Sequence, residues 1–196
     1  MPATSERCWW CGTDPVYVAY HDTEWGVPVT DDRALYEKLV LDGFQAGLSW
    51  ITILKKRAAF QRAFKDFDPQ KIARFGERDV QRLLKDEGII RSRAKIEGAV
   101  KNARAWLEIM EAGDGAFRDF LWGHAGDRTV DVKLRRRGDI RAESAESVAL
   151  AKALKKRGFT FCGPVIVYAF MQAVGMYNEH LVTCPRHKAC ARLARK

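Results

Sequence analysis

The chain has 196 residues, 47% of them hydrophobic and 30% charged, with a formal net charge of +9. This is the composition of a globular protein with a sizeable core, and an odd count of five cysteines disfavours a disulfide framework. Every apolar run is shorter than the roughly 18 residues that span a bilayer. The N-terminal MPATSERCWW also lacks the layout of a secretory signal, so we expect a cytoplasmic protein that stays out of the membrane.

Most of the positive charge lies in the last quarter of the chain. From Leu150 to Lys196 there are nine Lys or Arg residues and one acidic residue, which leaves +8 of the total +9 in this segment. Basic side chains release condensed counterions when they bind a polyanion, so the asymmetry favours a nucleic-acid partner. On charge alone, a solvated basic face explains the pattern equally well.

The predicted elements are almost all helical. Asp31 or Asp32 can cap a helix over residues 32–43 that Gly43 ends, and Asp68-Pro69 is typical of a helix start. Only RTVDVKL, residues 128–134, alternates in a way that allows one short strand. We therefore predict a single all-α domain over residues 1–196, whose further helices fall in segments 47–64, 77–86, 91–112, 116–123, 144–158 and 164–175.

Cysteine and histidine residues concentrate at the two ends of the chain, which indicates a metal site that joins them. Structural zinc takes four nitrogen or sulfur ligands, often as closely spaced pairs. Two ligand sets are open, of which spacing alone favours the ribbon-like one, and ordinary buried thiols with surface histidines are the simpler alternative. One set is ribbon-like and contains Cys8, Cys11, Cys184 and His187; the other contains Cys8, His21, His180 and Cys184.

Residues 83–96, LLKDEGIIRSRAKI, join two amphipathic helical segments through a glycine-containing turn. Backbone N–H groups at the start of the second helix form an anion site, and Arg91, Arg93 and Lys95 add positive charge just beyond Gly88. The layout resembles a helix-hairpin-helix element, which holds a DNA backbone without reading its sequence. A plain helical corner with a basic face is the alternative.

The segment LVLDGFQAGLSWITILKKR places a carboxylate, a small-residue turn and a tryptophan close together. Leu48, flanked by small residues, has the character of a wedge that enters a base stack. Trp50 and Tyr20 can present ring faces to a flat, cationic ligand, with Asp42 nearby. Each of these residues also has an ordinary role in helix packing or at a helix end.

Several longer strings together resemble the 3-methyladenine DNA glycosylase I family. They are YHDTEWGVP (20–28), QAGLSWITILKKR (45–57), GIIRSRAKI (88–96), KKRGFTFCGP (155–164) and FMQAVG (170–175), and the likeness runs from about Cys8 to Cys184. The resemblance implies a helix-hairpin-helix glycosylase fold. It also implies a monomeric repair enzyme that hydrolyses the N-glycosidic bond of 3-methyladenine in double-stranded DNA and leaves an abasic site.

The resemblance also implies roles for individual residues. A structural zinc ion is expected on Cys8, His21, His180 and Cys184. The base pocket falls on Tyr20, Trp50 and the catalytic carboxylate Asp42, where the family usually has glutamate, and Phe44 adds a further ring. DNA contacts are expected from Gln45, Gly47, Leu48, Gly88, Arg91 and Arg93. A non-catalytic, zinc-stapled DNA-binding module and a hydrolase whose metal activates water are the competing functions.

Overall fold

A computed structural model describes residues 7–195, and over that range its regular secondary structure is helical except for two short strands. The helices are α1 (Pro15–Thr23), α2 (Asp32–Gln45), α3 (Trp50–Ala63), α4 (Pro69–Ile72), α5 (Glu77–Leu84), α6 (Arg93–Met110), α7 (Ala116–His124), α8 (Ala145–Lys156), α9 (Pro164–Ala173) and α10 (Pro185–Leu193). This confirms the all-α prediction. No helix within the described range is both long enough and apolar enough to cross a bilayer.

The short strand expected within residues 128–134 is present and has a partner that the sequence did not reveal. Strand β1 (Val130–Asp131) pairs in parallel with β2 (Tyr177–Asn178). The pairing brings the segment after α9 back toward the middle of the chain. Two residues on each strand are too few for a period-2 pattern, which explains why β2 could not be recognised.

The helix starts follow from capping. Asp31 is the N-cap of α2, since its carboxylate accepts the backbone N–H of Ala34 at 2.8 Å. Its neighbour Asp32 instead accepts the backbone N–H groups of Gly115 and Arg118 at the start of α7, both at 2.7 Å. The two adjacent aspartates therefore cap two different helices.

Helix α2 is the centre of the fold, in contact with α3, α6, α7 and α9. Its second half, from Leu39 to Phe44, is buried on all sides. The predicted end at Gly43 is corrected: the helix continues to Gln45, and Gly43 provides a close approach to Phe161, whose Cβ would lie 3.2 Å from an added Cβ. Asp42 is thereby carried into the interior on a rigid element.

Helices α5 and α6 form the predicted hairpin, joined by residues 85–92. The backbone N–H of Gly88 donates to Asp86 Oδ1 at 2.8 Å, and a Cβ at position 88 would lie 2.8 Å from the Ala59 Cβ on α3. Lys56, also on α3, donates to the Glu87 carbonyl oxygen at 2.7 Å. Glycine is required at this turn because the hairpin packs closely against α3.

Candidate active site and metal cluster

A cleft of about 310 Å³ opens beside the second half of α2. This lies at the lower end of the range of about 300–1,000 Å³ typical of small-molecule sites. Its wall is rich in aromatic rings, and its polar groups are few. The lining includes Trp9, Trp10, Tyr17, Tyr20, Trp25, Trp50 and Tyr168, with Lys38, Asp42, Gln45, Gln172 and Glu179 as the central polar residues.

Asp42 lines this cleft and is 1% exposed. Its Oδ1 accepts an ion-paired hydrogen bond from Lys38, one helical turn earlier, whereas its Oδ2 has no partner among residues 7–195. Burial raises the pKa of the Asp42 carboxyl and lowers that of the Lys38 ammonium, and the ion pair opposes both shifts. An unpaired buried acceptor of this kind calls for a hydrogen-bond donor on a ligand.

Trp50 and Tyr20 form the aromatic wall next to Asp42. Their ring centroids lie 5.5 Å apart at an interplanar angle of 47°, and both side chains are largely buried. The Trp50 Nε1–H also has no acceptor within the described residues. Two residues that line the cleft thus each have one unpartnered polar atom, the Asp42 Oδ2 acceptor and the Trp50 Nε1–H donor, which suits a flat heterocycle that carries both donor and acceptor groups.

Phe44 does not line the cleft, which corrects the expectation that it adds a ring to the pocket. It is 1% exposed, and its ring packs 4.8 Å from that of Phe60 and 5.5 Å from that of Phe64. It lies two residues after Asp42, and this spacing on a helix turns the two side chains away from each other. Phe44 is therefore a core residue.

The turn between α2 and α3 lies at the edge of the cleft. Gln45 lines the cleft, and Gly47 has a φ of +80°, which glycine adopts without strain. Leu48, which follows, is 42% exposed and is therefore one of the few large hydrophobic residues on the described surface. Its backbone N–H donates to the Gln45 carbonyl oxygen at 2.6 Å, which closes the turn.

The basic residues of the hairpin differ in the ion pairs and hydrogen bonds that they make. Arg93 is bound by two carboxylates, those of Glu77 (2.8 Å) and Glu97 (3.0 Å). Arg91 is exposed and makes a longer contact of 3.4 Å to Glu87. Lys95 lies elsewhere: its ammonium donates to backbone carbonyl oxygens at the C-terminal end of α2.

A second cluster lies behind Trp10 and Trp25, two of the rings that line the cleft. The side chains of Cys8, His21, His180 and Cys184 are buried, and one donor atom from each lies within 4.8 Å of the others. This cluster can hold a metal ion, and it joins the two ends of the described chain. It follows the second of the two ligand sets left open by spacing.

The alternative ribbon-like set is not assembled. Cys11 Sγ lies 3.1 Å from the Cys8 carbonyl oxygen, and His187 Nε2 lies 2.9 Å from Asp131 Oδ1, outside the cluster. The closely spaced Cys8–Cys11 and Cys184–His187 pairs were therefore a poor guide, since the ligand that accompanies Cys8 is His21 on α1, thirteen residues later.

Neighbouring groups orient both histidines of the cluster. His21 Nδ1 lies 2.7 Å from Asp22 Oδ1, and His180 Nε2 lies 2.9 Å from the Trp25 carbonyl oxygen. Each ring therefore directs its other nitrogen toward the cysteine sulfurs. Hydrogen bonds from Cys8 and from both histidines lower the pKa of Cys184, which favours the thiolate form that binds metals.

The cluster and the cleft share a wall. The Trp10 ring lies 5.2 Å from that of His21, and the Trp25 ring lies 4.6 Å from that of His180. Trp10 and Trp25 both line the cleft as well. The Cys/His cluster thus packs directly against two aromatic rings of the cleft.

Several cleft residues were not identified from sequence. Lys38 had a usable signal, since it lies four residues before Asp42 on one helix face. Glu179 is 2% exposed and accepts hydrogen bonds from Tyr168 and Gln172. Its only sequence signal was its position next to His180.

The fold and the cleft together define a helical protein of the DNA glycosylase class. Residues 10–187 match the family model described as methyladenine glycosylase, and the chain belongs to that family.

Relatives support this assignment over nearly the whole chain. DNA-3-methyladenine glycosylase 1 of Escherichia coli is 49% identical over 91% of this chain and 95% of its own length. DNA-3-methyladenine glycosylase of Haemophilus influenzae is 45% identical, covering 91% and 96%. A solved variant of 3-methyladenine DNA glycosylase I in complex with 3-methyladenine superposes with a TM-score of 0.87 at 40% identity, covering 91% of this chain and 95% of that one.

Proposed function

We propose that this chain is a DNA repair glycosylase that hydrolyses the N-glycosidic bond of 3-methyladenine in alkylated double-stranded DNA and leaves an abasic site. The observation that carries the proposal is the buried Asp42 carboxylate, which faces a base-sized aromatic cleft in a chain of the methyladenine glycosylase family. The chain would act as a monomer in the cytoplasm.

Methylation at N3 gives adenine a positive charge in DNA. When the bond between C1′ and N9 breaks, its electron pair stays with the base, which leaves neutral; water adds at C1′ and releases one proton to the solvent. The enzyme therefore requires little acid catalysis, and its main task is to extract and select the nucleotide. Flipping costs a few kcal/mol in lost stacking and pairing.

The cleft residues supply the selection. Stacking on Trp50 and Tyr20 returns roughly 1–3 kcal/mol per base, and a charged base gains a further ~0.5–2 kcal/mol from cation–π attraction. Asp42 Oδ2 accepts a hydrogen bond from the exocyclic amine, which distinguishes adenine from guanine. Asp42 is one methylene shorter than glutamate, and its position on the buried part of α2 fixes how far it reaches.

The surface around the cleft holds the DNA. Leu48, presented by Gly47 and Gln45, fills the gap that the flipped nucleotide leaves. The hairpin at Gly88 holds the backbone, with Arg91 the more available of its two arginines, because Arg93 is bound by two carboxylates.

The Cys/His cluster fits zinc and would serve as a structural staple. In a tetrahedral site with Zn–S of about 2.3 Å and Zn–N of about 2.0–2.1 Å, sulfur and nitrogen ligands lie about 3.6 Å apart. The contacts here are 3.6 Å for Cys8 Sγ–His180 Nδ1, 3.6 Å for Cys184 Sγ–His21 Nε2 and 3.8 Å for Cys184 Sγ–His180 Nδ1. The ion would join the ends of the fold and support Trp10 and Trp25 of the cleft.

The deciding experiment incubates the folded, zinc-loaded protein with methylated duplex DNA and detects free 3-methyladenine. We expect release, and a loss of about 5- to 150-fold in kcat/KM for Trp50→Ala because one stacking face is removed. Nonspecific DNA affinity should change little in this variant. Absence of free base would instead indicate a non-catalytic DNA-binding module.

A further inference from the structure

The cation position of the cleft is already filled by the protein itself. Lys38 Nζ lies 3.9 Å from the centroid of the Trp50 ring and is ion-paired with Asp42 Oδ1. These are the same two groups, a ring face and a carboxylate, that the proposed function assigns to a positively charged base. The Lys38 side chain is only 17% exposed, so this arrangement is part of the cleft and not a surface contact.

We propose that Lys38 is a specificity-determining placeholder: its ammonium holds the cation position between Asp42 and Trp50 in the empty cleft, and a positively charged base binds by exchanging with it. The inference rests on the proposed function, because it takes a cationic base as the ligand. It assigns Lys38 a role in selection and not in bond cleavage.

The Lys38 side chain also borders a second cavity. This cavity, of about 220 Å³, lies on the other side of the wall formed by Tyr20, Lys38 and Trp50. Glu37 and Glu24 line it, together with Arg57. A lysine has a flexible four-carbon stem and three donors, so side-chain rotation can carry its ammonium from Asp42 toward this second cavity, which Lys38 also lines.

The two carboxylates of the second cavity differ in their capacity to receive the Lys38 ammonium. Glu24 already binds Arg57 through both oxygens, at 2.5 and 2.9 Å, and its side chain is 42% exposed. Glu37 accepts one hydrogen bond, from Gln61 at 2.9 Å. Glu37 therefore has further acceptor capacity for the ammonium.

Because of this exchange, a base must be positively charged to bind well in the cleft. A buried carboxylate that loses its counter-ion is strongly penalised, so Asp42 resists the withdrawal of Lys38. A cationic base restores the balance when it takes the position, whereas a neutral base does not. Lys38 therefore competes with every base, and it also repels the cationic base while it remains nearby.

Equilibrium binding to the intact zinc-loaded protein tests the proposal without any bond cleavage. The probes are the 3,9-dimethyladeninium cation, which has methyl in place of the sugar, and its neutral 3-deaza analogue. Isothermal titration calorimetry at about pH 8.5 favours the ionised form of Asp42, since burial raises the pKa of this carboxyl. We expect Lys38→Met to tighten cation binding by about 2- to 30-fold, and to tighten binding of the neutral analogue less.

The Asp42→Asn background provides the matched control. Asparagine has no charge to hold the ammonium in place, so Lys38→Met should change cation affinity far less in that background. Unchanged or weaker cation binding by Lys38→Met alone would overturn the proposal. Equal gains in affinity for the cation and the neutral analogue would also overturn it, because Lys38 would then act only by steric exclusion. If Lys38→Met does not fold, Lys38→Gln keeps a donor for Asp42 without the charge and answers the same question.

The proposed function has its own test: if the unsubstituted protein released no 3-methyladenine from methylated DNA, the proposed function would fail whatever the binding measurements show.

Discussion

Lys95 donates a hydrogen bond of 2.6 Å to the carbonyl oxygen of Ala46, 49 residues earlier in the chain. A second bond, of 2.9 Å, reaches the Phe44 carbonyl oxygen, so one ammonium caps the C-terminal end of α2. Lys95 belongs to the first turn of α6, just after the hairpin. The proposed phosphate-holding element and the turn that presents Leu48 are therefore joined by a single side chain.

Replacing this side chain should uncouple the two elements. Lys95→Met keeps the length and removes both hydrogen bonds, so we expect the free energy of unfolding to fall by about 1–3 kcal/mol. Excision should fall further than DNA affinity, because the turn loses its fixed position. Urea unfolding and single-turnover excision measure the two effects. Lys101→Met, the same change at an exposed position of the same helix, should alter neither.

Leu48 should matter only where a base stack has to be held open. We expect Leu48→Ala to lower single-turnover excision from duplex DNA by about tenfold and to leave single-stranded substrate nearly unaffected. Because the side chain is 42% exposed, stability should not change. Val16→Ala, at a residue 45% exposed on α1, is the control. Equal losses on both substrates would contradict the wedge role.

The Cys/His cluster predicts which cysteine matters for the metal. Cys8→Ser should lose most of the bound zinc, whereas Cys11→Ser should retain it, because Cys11 lies outside the cluster. Metal content per protein molecule, measured by mass spectrometry, separates the two variants. Zinc that survives His21→Ala but not Cys11→Ser would restore the ribbon-like ligand set.

Chelation then tests whether the zinc is structural. Helical content, followed by circular dichroism, and base release should be lost together as zinc is removed. Loss of release from a protein with unchanged helical content would instead make the metal catalytic.

The hairpin should show a defined dependence on pH. Hydrogen bonds from Arg93 and Gln81 lower the pKa of Glu77 from 4.5 to about 2. A carboxyl whose pKa is depressed by folding contributes stability above its unfolded value, and this contribution is lost as the pH falls through the folded value. Wild type should therefore be more stable than Glu77→Gln at neutral pH, and the difference should vanish between about pH 4.5 and 2.

Thermal unfolding of both proteins across this range, at low and high salt, measures the effect. Because Glu77 and Arg93 are exposed, added salt should also reduce the difference. A difference that grows as the pH falls would contradict the assignment.

Much of the fold could be predicted from local sequence signals. The Asp68-Pro69 start, the helical segments and the hairpin are set by capping and periodicity, which act within a few residues. The position of Asp31 as the cap of α2 was left open because Asp32 is an equally good cap, and only the distant start of α7 distinguishes them.

The site was less predictable where it depends on contacts between distant segments. Residue spacing favoured Cys11 and His187 over His21 and His180, because ligands on separate helices have no characteristic spacing. Phe44 was assigned to the pocket because the rotation of α2 was unknown. Lys38 was missed because an i, i+4 ion pair is ordinarily a surface feature, and only the burial of α2 makes it part of the cleft.

The burial of the thiols affects how well the protein itself resists alkylating agents. Reagents that methylate adenine are electrophiles, and thiolates are among the strongest nucleophiles that a protein presents to them. All five cysteines lie in the described range, and each is at most 7% exposed. A protein whose substrate forms only under chemical attack thus keeps its own most reactive atoms out of reach of the attacking agent.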